Sequence, residues 1–337
     1  MVEYRDGNES DSSAESFPPL VDNAIVLTGP TAAGKSSIAM ALADRIDAEI
    51  ISLDSIAVYQ GMDIGTAKPS AADRKRIAHH LVDLVEPTED FSVACYLRET
   101  HARVREIHQR GRAAIFVGGT PMFLKGILRG FDPGPPADWD FRNAVESDVQ
   151  AYGVDALRER LRQVDPLAEH RIGPNDTRRM IRALEVARQT GTPISHRQVQ
   201  FDCAKDADSC NVFSLAWPRH QLHARINHRV GQMFRSGLID EVRGLLDRYG
   251  GLSRTASQAV GYREVLQWLG GSESSQDELE EEVAAHTRQL ARRQETWFRS
   301  FQEIRAISVE EPLRPELIAE QIERMLTPFR PKSSYAS

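Results

Sequence analysis

Residues 24–27 (AIVL) form a short unbroken apolar run, the pattern of a strand buried on both faces; 48–53 (AEIISL) and 113–120 (AAIFVGGT) read the same way. Between these runs, 38–46 and 91–110 carry apolar residues at helical spacing, and 123–128 resumes that period. Each strand ends in a polar or glycine turn: TGPTAAGKSS (28–37), then Asp54-Ser55, then Gly118-Gly119-Thr120. Alternation of this kind predicts an α/β core with a parallel, doubly wound sheet. The three turns would share its carboxyl edge, where such sheets bind ligands.

The pattern changes at the Pro/Gly break RGFDPGPPADWD (129–140). From 140 to 190 only helical periodicity appears; GTPIS (191–195) interrupts it, and NVFSLAW (211–217) reads as a strand again. A helical insertion over 131–205 is therefore expected inside a core made of 23–130 and 206–328. Long helices are expected over 219–248 and 256–299, with a last strand at 306–309 and a final helix at 317–325. Residues 1–22 are polar, acidic and Ser-rich with no apolar signal core, and read as a disordered tail; 329–337 read as a frayed one. No window approaches the ~18 apolar residues of a membrane span, so no membrane partner is expected. Cys95, Cys203 and Cys210 include no CxxC pair, which supports neither a disulfide framework nor a zinc ribbon, and a reducing cytoplasm fits.

A net charge of −7 argues at first against a nucleic-acid partner, but it is unevenly placed. Residues 1–22 hold −5 and the stretch 273–282 holds −6, leaving +4 for the rest. Within that rest, 170–182 has four Arg against one Asp, and 286–299 has four Arg against one Glu. Such runs are either solvated helix faces or nucleic-acid contacts, and the whole-chain charge does not exclude RNA.

In GPTAAGKS, Gly29 and Gly34 let the backbone turn so that successive amides point inward at an anion, and the following helix adds its positive end. Lys35 would reach the outer phosphate oxygens, and the Ser36 hydroxyl would ligate Mg²⁺. Strand before and helix after place this loop in a P-loop NTPase-like parallel sheet core, here with an inserted helical domain and C-terminal helices. A GTPase is excluded by the lack of an Asn-Lys-x-Asp motif. A small-molecule kinase stays open, because Arg225 and Arg229 in ARINHRVGQM would supply its lid arginines. Asp54, at a strand tip across from the loop, reads as a magnesium ligand, a general base or a helix cap.

GPTAAGKS, DSIAVYQGMDIGTAKP (54–69), HHLVDLVEP (79–87), VGGT (117–120), GPNDTRRMIRALEV (173–186), AVGYREV (259–265) and TRQLARRQETWFR (287–299) together resemble the tRNA dimethylallyltransferases, in order and at natural spacing from about residue 24 to 309. The resemblance implies transfer of a dimethylallyl group from its diphosphate to the exocyclic amine of the adenosine 3′ of the anticodon. The phosphate loop would then hold the leaving diphosphate through Gly29, Pro30, Thr31, Ala32, Ala33, Gly34, Lys35 and Ser36. It implies Asp54 as the base and Thr120 beside the amine and the leaving oxygen. Arg229 would grip the diphosphate, unless it is a surface arginine on a solvated face. Contacts to the anticodon stem-loop would come from Asp54, Ser55, Ile56, Ala57, Thr120, Arg142, Arg178, Arg179 and Arg182, then Gln258, Gly261, Tyr262 and Arg263, then Arg292, Arg293, Gln294, Trp297 and Arg299. A monomer is expected. The related adenylate isopentenyltransferases would need neither the helical insertion nor the basic C-terminal helices.

Some positions depart from the family pattern. Pro121-Met122-Phe123 stands where Gly-Leu-Tyr is usual, Ala57 where a Gln is common, and Gly173 where a His usually begins the block. Adjacent His79 and His80 point apart on a strand and are read as structural rather than as a metal pair.

Overall fold

Strands buried on both faces need neighbours on both edges and helices on both sides, and that requirement shapes the core. The computed structural model describes residues 16–327. In chain order the elements are β1 (Ile25–Thr28), α1 (Lys35–Ile46), β2 (Ala48–Leu53), α2 (Ala71–Arg76), β3 (His79–His80), α3 (Val93–Gln109), β4 (Ala113–Gly118) and α4 (Pro121–Arg129). Five helices follow: α5 (Trp139–Tyr152), α6 (Val154–Val164), α7 (Pro166–Arg171), α8 (Thr177–Thr190) and α9 (Ile194–Arg197). The chain ends with β5 (Val212–Ala216), α10 (Arg219–Arg235), α11 (Leu238–Tyr249), α12 (Arg254–Ser257), α13 (Tyr262–Leu269), α14 (Gln276–Phe298), β6 (Arg305–Ser308) and α15 (Pro315–Met325).

The described residues divide into two compact units, 19–129 with 204–327, and 16–18 with 130–203. In the first, six parallel strands lie in the order β3-β2-β4-β1-β5-β6. The order reverses at β1, which pairs with β4 on one edge and β5 on the other, so a crevice opens at its carboxyl end. Register sets the walls of that crevice: Leu53 pairs with Gly118 and Leu27 with Val117, bringing the tips of β1, β2 and β4 level. Among the described residues no helix is long and apolar enough to cross a membrane.

The second unit is helical, with a core of Phe141, Val145, Leu157, Leu161, Met180 and Leu184. Its helices start where an aspartate caps them: Asp138 accepts from the Phe141 amide, Asp165 from Ala168 and Asp176 from Arg179.

Two expectations are corrected. The tail read as disordered over 1–22 is packed in its last part: Phe17 forms an antiparallel bridge to Phe131, and Leu20 and Val21 are buried. Apolar side chains in an acidic context supply that packing; residues 1–15 and the frayed tail 329–337 lie outside the described residues. The long C-terminal helices are also interrupted. Gly237, at φ 93°, ends α10 from α11 in a conformation that side chains with a Cβ rarely adopt. The stretch 256–299 becomes three helices: buried Glu264 captures the Gly261 amide at 2.7 Å to start α13, and a Ser275–Glu278 capping box starts α14.

Candidate active site

The loop expected to hold phosphate leaves β1 at Thr28 and enters α1 at Lys35, with Gly34 as N-cap at φ 85°. That φ is one that side chains with a Cβ rarely adopt, and a Cβ on Gly34 would also push on the end of the Leu313 side chain, 2.4 Å away. Lys35 Nζ folds back over the loop and donates to the Gly29 and Pro30 carbonyls at 3.0 and 2.8 Å. Burial pushes its pKa down to about 7; the Arg229 guanidinium adds to that, and the Asp54 carboxylate opposes it.

A cavity of about 900 Å³ opens over the loop. Lys35 and Ser36 form one wall, Asp54 and Ala57 another, and α10 closes it with Arg225 and Arg229. The two arginines differ in how they are held. Arg225 donates from Nε to the Ala32 carbonyl at 2.9 Å, pairs with Glu311, and lies 4.5 Å from the ring centre of Trp217. Trp217 in turn donates to the Ala33 carbonyl at 3.0 Å, so Arg225 and Trp217 brace the loop from outside. Arg229 makes one backbone contact, to the Thr66 carbonyl at 3.3 Å, and burial lowers its pKa. Neither Trp217 nor Lys68 was anticipated, although Lys68 lies in the quoted 54–69 stretch. Its buried ammonium joins Tyr59 O, Asp63 and Asp83 at the cavity wall.

Asp54 does two things at once. Oδ1 accepts from the Ile56 and Ala57 amides at 2.8 and 3.3 Å, which is a turn cap. Oδ2 has no hydrogen-bond partner among the described residues, and the side chain lines the cavity. Thr120 Oγ1 accepts from the Ser55 amide at 3.0 Å and so ties the β4 turn to the β2 turn. Gly118 is wedged against the Leu53 carbonyl, where a Cβ would lie 2.1 Å away. The departure at Phe123 is absorbed by packing: its ring stacks on Tyr96 with centroids 3.8 Å apart, and the Tyr96 hydroxyl bonds the Ser52 carbonyl. His80 pairs with buried Glu49 at 2.6 Å and His79 bonds the Ile77 carbonyl, a structural arrangement. Among the described residues no group of three His, Cys, Asp or Glu is placed to hold a metal.

The model of the IPP transferase family matches residues 57–301. The tRNA dimethylallyltransferase of Rhodopirellula baltica is 54% identical over 316 residues, covering 91% of this chain and 94% of that one. That of Geobacter sulfurreducens is 43% identical over 275 residues, covering 82% and 88%. The crystal structure of the full-length tRNA isopentenylpyrophosphate transferase from Bacillus halodurans superposes with a TM-score of 0.64 at 36% identity, covering 90% of this chain and 96% of that one. A eukaryotic dimethylallyltransferase captured acting on tRNA gives 0.71 at 25% identity, covering 86% and 74%. The chain belongs to the tRNA dimethylallyltransferase family.

As a tRNA dimethylallyltransferase family member, the chain has RNA-contact residues implied by resemblance, and the structure sorts them. Arg178, Arg179, Gln258, Arg292, Arg293, Trp297 and Arg299 are exposed. Arg142 and Arg182 are not free: both pair with fully buried Glu185, and Arg182 also donates to the Pro133 and Pro135 carbonyls. An unpaired charge in that interior would cost about 3–5 kcal/mol, which is why two arginines are held there. Gly261 caps a helix, and Tyr262 is wholly buried, its hydroxyl 2.6 Å from Glu241. Arg263 is committed to Glu264 and His286. Gln294 is also interior, bonded to the phosphate loop and to Gly119. Each of these residues is engaged with a neighbour in the fold: within three residues for Gly261 and Arg263, and far along the chain for Arg142, Tyr262 and Gln294.

Proposed function

We propose that the protein transfers a dimethylallyl group from dimethylallyl diphosphate to the exocyclic amine of the adenosine 3′ of the anticodon in tRNA, releasing diphosphate. The observation that carries this reading is one cavity with an anion-holding loop on one wall and a carboxylate, Asp54, on the other. A kinase can also place an aspartate as proton acceptor, so what favours prenyl transfer over phosphoryl transfer is the family to which the chain belongs.

The amine nitrogen forms a bond to the first prenyl carbon as the carbon–oxygen bond to diphosphate breaks. The amine proton passes to Asp54 Oδ2, and the electron pair of the broken bond leaves as charge on diphosphate. Loop amides, Lys35 and Arg229 stabilise that charge where it develops. Thr120 keeps the two turns together beside the reacting nitrogen. Mg²⁺ fits this site through hard oxygen donors, the exposed Ser36 hydroxyl and the diphosphate itself; when bound it would neutralise the leaving group. The target base must leave its stack, at a cost of a few kcal/mol. Exposed Arg178 and Arg179 on the helical unit, and Arg292, Arg293, Trp297 and Arg299 on α14 and its end, offer charge and stacking surface to offset it. The residues given roles here all belong to one chain acting as a monomer, and tRNA would be met in the cytoplasm.

Incubation with dimethylallyl diphosphate, Mg²⁺ and either unmodified tRNA or AMP, read by mass spectrometry, tests the proposal. A prenyl mass on tRNA alone supports it; addition to AMP alone, or consumption of ATP, replaces it.

Arg229→Ala is expected to raise the KM for dimethylallyl diphosphate, because the contact exists in ground and transition states alike. An unchanged KM in steady-state assays would leave Arg229 as a structural residue of the cavity wall. Neutralising Arg292 and Arg293 together should flatten the plot of log tRNA affinity against log salt by up to about two units, since each phosphate contact contributes roughly 0.7–0.9. Salt titration of anticodon stem-loop binding checks this; identical slopes would take both arginines out of the RNA interface.

A further inference from the structure

We infer that Gln294 is a positioning residue for the transfer reaction, holding the phosphate loop and the β4 turn in one register. The inference rests on the functional reading just given, and it assigns this side chain to the cavity rather than to RNA. Arg292 and Arg293 are exposed, but Gln294 is 8% exposed and turned inward from the same helix. Its carboxamide is engaged at both ends. Oε1 accepts from the Thr31 amide at 2.9 Å, and Nε2 donates to the Gly119 carbonyl at 2.8 Å. Only a carboxamide of this length offers one donor and one acceptor in such a fork.

Each end meets a part of the site that must not drift. The Thr31 amide, committed to Gln294, shapes the loop instead of binding the anion. Gly119 directly precedes Thr120, whose hydroxyl holds the Ser55 amide beside Asp54. One side chain therefore links the leaving-group wall to the amine wall. The turn is built around it: a Cβ on Gly119 would lie 2.5 Å from Gln294 Nε2. Transfer depends on the distance between those walls, and a misplacement of about 1 Å costs about 10²-fold in rate.

Gln294→Met keeps length and apolar bulk while removing both hydrogen bonds. Gln294→Glu keeps the acceptor for Thr31 but sets an oxygen against the Gly119 carbonyl. Gly119→Ala attacks the same contact from the other side. For each full-length variant, kcat and both KM values are measured, with calorimetric Kd for inorganic pyrophosphate without RNA, Kd for the anticodon stem-loop, and Tm. Expected for Gln294→Met is a fall in kcat of about ten- to hundredfold and a pyrophosphate Kd raised by about tenfold, with stem-loop Kd and its salt slope unchanged. Gln294→Glu should be at least as impaired. Wild-type kcat and pyrophosphate Kd in Gln294→Met would overturn the inference, as would a weakened stem-loop Kd with pyrophosphate Kd intact. If Gln294→Met fails to fold, Gly119→Ala decides: the same split supports the role, and wild-type behaviour overturns it. A wild-type protein that transfers no dimethylallyl group sinks the functional reading, while the pyrophosphate Kd still decides the register.

Discussion

Lys35→Ala is expected to abolish transfer at subsaturating dimethylallyl diphosphate, a loss of at least about 10²-fold, while tRNA affinity stays nearly intact. Lys35 reaches only the diphosphate side of the cavity, braced on the Gly29 and Pro30 carbonyls. Its depressed pKa of about 7 adds a proton signature. A bound diphosphate raises that pKa, so binding takes up a proton above pH 7. Affinity is full below pH 7 and falls as pH rises towards the bound value, by up to about tenfold per unit. Folding is linked with the opposite sense: the folded value lies below the ordinary 10.5, so burial penalises the fold fully below pH 7, and the penalty fades towards 10.5. Calorimetry at pH 8 in buffers of different ionisation enthalpy should show proton uptake in the wild type, diminished in the alanine variant. A variant that lost tRNA binding instead would contradict the assignment.

Asp54→Asn is expected to lower kcat by about 10²–10⁴-fold with little change in either KM. The structure sharpens this test. Asparagine keeps an oxygen to cap the Ile56 and Ala57 amides, so the turn at 54–57 should survive and only the proton acceptor is lost. Single-turnover rates with saturating tRNA and dimethylallyl diphosphate measure the chemical step directly. A near-normal rate would leave Asp54 as a turn cap and require another base.

Where local pattern carries the information, the sequence was enough. The apolar runs at 24–27 and 48–53 become β1 and β2, because a strand buried on both faces has no polar face to disguise it. The spacing of Gly29, Gly34, Lys35 and Ser36 between an apolar strand and a helix announces the loop, although Gln294, Trp217 and Arg225 from far along the chain then brace it. The resemblance to the tRNA dimethylallyltransferases likewise rested on contiguous blocks. The Pro/Gly break at 129–140 marked a change of unit, which the structure places at residue 130.

Position alone is silent about a partner that lies far along the chain. Arg293 and Gln294 are neighbours in one basic run, yet one is exposed and the other joins Thr31 to Gly119, more than 170 residues away. Arg142 pairs with buried Glu185, 43 residues on, and the Tyr262 hydroxyl with Glu241, contacts that the basic and aromatic pattern does not announce. Phe17 joins the helical unit because Phe131 offers it a backbone to pair with. By itself the sequence determined the strands, the phosphate loop and the family. Only the tertiary structure decided which polar side chains are exposed and which are held by partners inside the fold, because a polar group follows whichever partner satisfies it away from water, and folding alone brings that partner near.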